Sequence, residues 1–590
     1  MNSLVVPAEK DVALASRRMS GGQALAEMLQ VYGVGPIFGM GGFQLLPFYE
    51  AVRSLRLAHY LINDERCGAF AADAYARVTN RPGVCDATLG PGATNLVTAL
   101  VESLNAGIPQ IALVGDTHRA HSWKNMTQEA RQVEVLRPAV KDLVRVEQVD
   151  RIPESVRRAF AVATSGRPGP VVLDIPEDVC HAEHEFSEGQ FWCDADTQAV
   201  PARRTRPNKV DVERAAQLIR KSRRPLLLVG GGVHLSQGYA ALQSFAEAQG
   251  IPIAHTMSGK GAVACVHPLS VGLFGRFSRF ANDFVASADL LIVVGCKLGE
   301  IATKRFQLVP PTTPIIHLDV DCEEFGRTNR LDVALWGDVQ AGLDDFADAL
   351  HEGAGKALAQ REDYIAEIGI RMTRWKSEAA DRLQSRETPI NIGRFMNELN
   401  AVMPRDAVLV ADGGFAAHWA GLFFDTKQAG RGFVADRGFA SIGYGVPGGI
   451  GAQIGVGQSR RVVALTGDGG FNMAMGELET ARRVHANFVT CIFNNAASGY
   501  VKSLQHAVYG EGRYQSSDLV EMDYAAIARC MGCEGIRVTD PEKIGAALRL
   551  GLENVDTPTV IDIVVTRDPS RMLPGTDNRT LKVQKGDRPV

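Results

Sequence analysis

Long apolar runs are missing from this chain. The longest, such as "LLLVGGGV" from Leu226 and "LLIVVG" from Leu290, are far too short for the roughly 20 apolar residues of a membrane-spanning helix, and read as buried strands. A charge excess is missing as well. With 63 Lys and Arg against 67 Asp and Glu, and no basic run or stripe, nothing points to nucleic acid as a partner. Cysteine is sparse and scattered, ten in 590 residues, which excludes a disulfide framework and fits a reducing compartment. Cys530 and Cys533 form a lone C-x-x-C without a second pair or a nearby histidine, and read as structural. The leading segment "MNSLVVPAEKDVALASRRMSGG" has no apolar core of signal-peptide length, so no export signal and a cytoplasmic location are expected.

What is present is the composition of a soluble globular protein, 45% hydrophobic and 22% charged, long enough for about three domains. Three regions alternate apolar strands, glycine turns and helical segments, near residues 18–185, 205–350 and 380–570. The first boundary is the aperiodic passage around 180–210, read as a linker. The second, "EGAGKALAQREDYIAEIGIRMTRWKSEAADRLQSRETP", reads as an amphipathic helical connector. The expected fold is α/β, with three doubly wound parallel-sheet domains. "GVGPIFGMGG" and "VLVADGGF" echo each other weakly, as two related domains would.

One stretch carries more than fold. "RVVALTGDGGFNMAMGELETARRVHANFVTCIFNN", Arg461 to Asn495, predicts a strand, a helical segment with Met475, Leu478 and Ala481 on one face, and a second strand. Such a crossover makes the strands parallel and puts Asp468 and Asn495 just past their carboxyl ends, where open sheets bind ligands. Gly467, Gly469 and Gly470 let backbone amides approach an anion at a helix start, and a carboxylate with an amide oxygen suits Mg²⁺. Taken alone, the same residues also fit a tight turn and a cap.

Between Gly469 and Asn494 lie 24 residues. This G-D-G and N-N arrangement resembles the thiamin diphosphate motif. The resemblance implies that Asp468, the Asn495 side chain and the carbonyl of Ala497 hold Mg²⁺, with Gly414, Phe415, Gly467, Gly469, Gly470, Gly499 and Tyr500 lining the cofactor. Further phrases, "RPGVCDATLGPGATNLVTALVESLNAGIPQIALVGD" and "AVATSGRPGPVVLDIPEDV", resemble the large catalytic subunit of acetolactate (acetohydroxyacid) synthases. In that family an acid at the Glu65 position hydrogen-bonds the aminopyrimidine ring, so that the cofactor's own amine can deprotonate thiazolium C2. Read by itself, Glu65 is equally an acid placed near a helix dipole. Asn95 in "GPGATN" is expected beside it, and Ile442 in "RGFASIGYGVPGGIGAQIG" is expected as a wedge under the thiazolium.

The central region resembles the family domain that holds FAD, ADP or nothing, but "GCKLGEIATKRF" replaces the Arg- and Asp-rich phrase of FAD-containing synthases. That departure puts FAD in doubt and leaves Lys297 and Lys304 as candidates for phosphate contact. The substrate end departs too. Gln128 matches a family glutamine, but Thr127 stands where an aromatic residue is expected, Leu504 where biosynthetic synthases carry Trp, and Glu177 where they carry Lys. Gly42, Phe43, Asp116, His118, His121 and Leu504 are the candidate substrate-mouth residues, with Trp123 on the same loop as the histidines.

The resemblance implies a thiamin diphosphate- and Mg²⁺-dependent carboligase that adds the cofactor ylid to a 2-oxo acid, releases CO₂ and passes the enamine to a second carbonyl. The alternative in the same cofactor class is a non-ligating 2-oxo acid decarboxylase or a 2-hydroxyacyl lyase. A nicotinamide-binding oxidoreductase is more remote, since no strand runs into G-x-G-x-x-G with an acid about twenty residues on. The family further implies a homodimer or homotetramer whose active sites are shared between chains.

Overall fold

The computed structural model describes residues 15–574. Most of the leading segment read for an export signal lies outside the described residues. Three six-stranded sheets, parallel throughout, succeed one another along the chain. The first is built from Ile37–Met40, His59–Leu61, Gly83–Ala87, Gln110–Asp116, Asp142–Arg145 and Pro170–Pro176. Numbered along the chain, these lie in the order 2-1-3-4-6-5. The third sheet, Val408–Ala411, Phe433–Ala435, Val462–Gly467, Val489–Asn494, Glu534–Val538 and Thr559–Val564, repeats that order, so the two outer regions are copies of one topology. The central sheet differs. Its strands Pro225–Val229, Ile253–His255, Ser270–Leu273, Leu290–Val294, Ile315–Asp319 and Val333–Trp336 lie 3-2-1-4-5-6, the order of dinucleotide-binding sheets.

Strands such as Leu290–Val294 and Val489–Asn494 are buried at every position, because helices cover both faces of each sheet. This is why they read as continuous apolar runs rather than as alternating ones. Between the second and third sheets, helices Ala354–Gln360 and Glu362–Leu383 form the connector, the longer one burying Tyr364, Ile368, Trp375 and Ala379 along one stripe. The passage read as a linker after Cys180 is not wholly irregular. Glu183–Ser187 is a strand paired antiparallel with Ser16–Ser20, tying the end of the first region back to its start. With five residues, three of them charged or imidazole, its periodicity was too short to see. No helix among the described residues is long and apolar enough to cross a membrane.

The outer domains meet through two helices, Glu65–Thr79 and Gly445–Val456. Both are rich in Gly and Ala, so their backbones approach closely. A Cβ on Gly451 would lie 1.9 Å from the carbonyl oxygen of Ala71, and one on Gly455 would lie 2.5 Å from Val78 Cγ2. Beside this contact sits a buried polar network. Arg77 donates to Asp73 at 2.6 Å, to Glu102 at 2.8 Å and to the carbonyl of Ala435 at 3.2 Å, and the Tyr444 hydroxyl donates to Asp73 at 2.7 Å. Ala435 and Tyr444 belong to the third domain and the acids to the first, so the network spans the seam.

Gly451→Val should therefore destabilise the protein. Replacing Gly by Val in a helix gains about 0.5 kcal/mol at most, whereas overpacking against a backbone carbonyl costs about 2–3 kcal/mol. A lower urea midpoint is expected, and an unchanged midpoint would show that the seam tolerates a side chain.

Candidate active site

The strands Val462–Gly467 and Val489–Asn494 are adjacent and parallel, with Gly467 opposite Phe493. Asp468 opens the helix Asp468–Ala474, and Asn495 follows directly on the second strand. The two side chains therefore meet at one sheet edge. Asp468 Oδ1 accepts from the Gly469 amide at 2.8 Å and Oδ2 from the Asn495 amide at 3.1 Å, while Asn495 Oδ1 accepts from the Ala497 amide at 3.2 Å. Asn495 Nδ2 is buried without a partner, and a Cβ on Gly499 would come within 2.6 Å of it. Burial pushes the Asp468 carboxyl up to about 6, and among the described residues no cation pairs with it. A buried acid, an amide oxygen and the nearby carbonyl of Ala497 are hard oxygen donors lacking a positive charge, so the set fits a divalent cation such as Mg²⁺. No cluster of three His, Cys, Asp or Glu suited to a metal occurs among the described residues.

The wall of this half-site is made by loops that only glycine permits. Gly414, at φ 68°, leads into helix Phe415–Phe423, and a Cβ there would stand 3.3 Å from Ile442 Cγ2. Phe415 packs on Phe493, and its ring lies 3.1 Å from the Cβ position of Gly467. Asp412, which sequence reasoning passed over, fastens the arrangement. Fully buried, it accepts from the amides of Gly413 at 2.7 Å, Gly443 at 2.9 Å and Tyr444 at 3.0 Å, and from the Thr466 hydroxyl at 2.5 Å. An acid between an apolar strand and Gly-Gly was the available signal. Tyr500 turns towards the central domain, its hydroxyl accepting from Arg276 and its ring stacked on His418 at 5.6 Å. Leu504 is half-buried on the same helix, Gly499–Tyr509.

Glu65 belongs to a second half-site in the first domain. Asp64 is the helix cap, accepting from the Arg66 amide at 2.8 Å, and Glu65 is the first helical residue. Its carboxylate is buried, with Oε2 accepting from Asn95 at 2.9 Å and Oε1 3.1 Å from the Cβ position of Gly92. Gln128 is exposed at φ 64°, and its carbonyl presses on Gly90. The buried glutamine of that loop is instead Gln132, which bonds the Gly90 amide at 3.1 Å, the Gly115 carbonyl at 2.8 Å and Asp174 at 2.6 Å. Asp116 does not face an open mouth. It is buried in an ion pair with Arg145, whose guanidinium reaches across the intervening strand Pro170–Pro176 and also bonds Asp174 there. His118 and His121 stack on each other at 4.6 Å at the surface, followed by an exposed Trp123. Phe43 is exposed near His181, and Gly42 abuts Thr88. Glu177 opens the short helix Glu177–His181.

The chain brings Glu65 together with Asn95, and Asp468 with Asn495, but does not join the pairs. Among the described residues no hydrogen bond or ion pair links Glu65 or Asn95 to Asp468, Asn495 or Ile442. Ile442 is 40% exposed.

A cleft of about 380 Å³ lies at the switch point of the central sheet, where Gly230–Gly232 and Gly295 follow the two strands at which the order reverses. Lys297 lines it but spends its ammonium on the Asn105 carbonyl at 2.7 Å, and burial lowers its pKa to about 8. Lys304 sits in the left-handed turn beyond the cleft rim.

The chain matches three domains of one family, described as thiamine pyrophosphate enzyme: the N-terminal TPP binding domain at 19–135, the central domain at 212–346 and the C-terminal TPP binding domain at 412–563. It is 32% identical to the probable acetolactate synthase large subunit of Methanocaldococcus jannaschii, over 94% of this chain and 93% of that one. The chain belongs to the thiamine pyrophosphate enzyme family. Similarity is comparable to the acetolactate synthase of Mycobacterium bovis, 32% over 98% and 93% of the two chains, and to the isozyme 2 large subunit of Escherichia coli, 30% over 93% and 96%. As a member of this family the protein is a thiamin diphosphate-dependent enzyme, and its Glu65 and Asp468 lie in the two domains described as TPP binding.

The raised Asp468 pKa sets a sign. A carboxyl whose folded value exceeds its unfolded one favours folding most when neutral, so its contribution is lost as pH rises from about 4 through about 6. Without ligand, Asp468→Asn should gain on the parent by about 2 kcal/mol between pH 4.5 and 7.5, less whatever the lost amide contacts cost. Thermal melts of both proteins across that range check it. A gap independent of pH would mean that Asp468 carries no burial penalty.

Proposed function

We propose that the protein is a thiamin diphosphate- and Mg²⁺-dependent carboligase of the acetolactate synthase kind, acting on a 2-oxo acid. The observation that carries this reading is the buried pair Asp468 and Asn495 at one sheet edge, short of a positive charge and with an orphaned amide beside Gly499. The names of the similar proteins support the substrate class. When bound, thiamin diphosphate would supply a nucleophilic carbon and an electron sink, the chemistry that decarboxylation of a 2-oxo acid and C–C bond formation with a second carbonyl require. Asp468, Asn495 Oδ1 and the Ala497 carbonyl hold the metal, and the amides of Gly469 and Gly470 at the helix start meet the diphosphate. Glu65 holds a proton at the aminopyrimidine ring, oriented by Asn95 through its 2.9 Å bond, in a setting dry enough to keep that proton localised. Ile442 would be the apolar side chain that supports the cofactor.

Among the described residues no hydrogen bond or ion pair joins Glu65 and Asn95 directly to Asp468 and Asn495, in keeping with a homodimer or homotetramer in which the Glu65 half of one subunit completes the Asp468 half of another. The central cleft suits an adenine nucleotide such as FAD or ADP. The stacked His118 and His121 favour a second reading, since surface imidazoles can deliver a proton and end the reaction as a decarboxylase or lyase.

Incubating the protein with thiamin diphosphate, Mg²⁺ and a panel of 2-oxo acids and aldehydes, with products identified by mass spectrometry, separates these readings. An acyloin or a 2-hydroxy-3-oxo acid, with a new C–C bond, is expected from pyruvate. Free aldehyde alone would replace the carboligase by the decarboxylase.

The shared site has its own test. Glu65→Gln and Asp468→Ala should each lose most activity, on the order of 100-fold, by removing the proton-holding acid and a metal ligand. Mixed under subunit exchange, heterodimers should regain activity through one intact site. Verified heterodimers that stay inactive would refute sharing.

A further inference from the structure

Ile442 sits in a stretch, 437–442, in which no residue is fully buried, with Phe439 54% and Ile442 40% exposed. Side-chain packing therefore does not decide where Ile442 stands. The backbone does, and it is held by an acid from another domain. Glu102, on helix Val97–Ala106 of the first domain, is fully buried. Its carboxylate accepts from four consecutive amides of the third domain: Arg437 at 3.2 Å and Gly438 at 2.8 Å on Oε1, Phe439 and Ala440 on Oε2, the last at 3.3 Å. Arg77 adds a charge-assisted bond to Oε1 at 2.8 Å. Gly438 lies flush on the same helix, since a Cβ there would come 2.3 Å from the Glu102 carbonyl, and Ala440 is in the left-handed region at φ 59°.

Downstream the segment is caught again. Asp412 takes the amides of Gly443 and Tyr444, and the Tyr444 hydroxyl reaches Asp73. Only Ser441 and Ile442 lie between the two carboxylates, over Gly413, whose Cβ position is 2.7 Å from the Ser441 carbonyl. Asp436 lies beside Glu102. Burial, then the neighbouring charge, holds the Asp436 carboxyl far above the usual range, so it stays neutral while Glu102 keeps the negative charge that the four amides need.

We propose that Glu102 is a positioning residue of the reaction, clamping the Arg437–Ala440 amides from the first domain and thereby fixing the backbone that presents Ile442 to the cofactor. This rests on the reading of Ile442 as the cofactor's support. A neutral amide in place of Glu102 would turn an NH₂ towards two of the N–H groups, and the clamp would open on that side. The segment also forms part of the cleft wall through Arg437 and Gly438, so the same clamp sets the boundary between cleft and active site.

The test compares Glu102→Gln, Ile442→Ala and the double variant in the cofactor-loaded enzyme, reading the exchange rate of the thiazolium C2 proton by NMR per bound cofactor. Each single substitution is expected to slow exchange at least 10-fold, with Glu102→Gln changing the KM for the 2-oxo acid less than threefold. The double variant should be no slower than Ile442→Ala alone, because both act through one element. Glu102→Asp should recover part of the loss. Parent-like exchange in Glu102→Gln beside a slow Ile442→Ala, or multiplying effects in the double variant, overturns the clamp. Parent-like exchange in Ile442→Ala overturns the support reading and the clamp with it. Should Glu102→Gln fail to fold, hydrogen exchange of the parent without cofactor decides: amides 437–440 should be protected as strongly as the sheet strands. Loop-like exchange there refutes the proposal.

Discussion

Ala71 and Gly451 leave no space for an atom between their helices, and the geometry of the whole chain depends on that closeness. The two helices belong to the outer domains, and the first of them begins with Glu65 and ends beside Arg77. One rigid rod thus presents an acid at one end and anchors the third domain at the other. Small residues make the approach possible, and the buried Asp73–Arg77–Glu102 network fixes its angle and register.

That network is expensive to bury. An ion pair taken out of water gains little over apolar packing, but removing one member strands the others. Its value is therefore orientation. Arg77, Asp73 and Glu102 meet groups from residues 435–444 on the far side of the seam, so a shift of the helices would leave several charges unpaired at once. The same logic holds at Asp412, where one carboxylate gathers three amides and a hydroxyl. In contrast, Asn495 Nδ2 is left buried without a partner beside Asp468, as expected of a group that awaits a ligand.

Parallel strands and their glycine turns were legible because each reports a local constraint. Val462–Gly467 and Val489–Asn494 lie within a residue or two of the runs read from the sequence, and the connector helix shows its apolar stripe at helical spacing. The antiparallel strand Glu183–Ser187 was not legible, since its partner lies 160 residues away and its own pattern is only five residues long. Asp116 looked like a mouth residue because a polar loop follows it. Only the packed sheet, in which Arg145 reaches over the intervening strand Pro170–Pro176, shows where its charge goes.

The sequence by itself determined the three α/β domains and, because the spacing of a strand–helix–strand unit dictates what reaches a sheet edge, the meeting of Asp468 and Asn495; the cofactor class and the choice of Glu65 came from the resemblance to a known family. Tertiary structure decided which acids are structural and which are available. Glu102, Asp412 and Gln132 look like ordinary polar residues along the chain, and their roles come from backbone amides supplied by elements distant in sequence. Hydrogen bonds to backbone carry no signature in residue identity, so the clamps around Ile442 appear only once the domains are packed together.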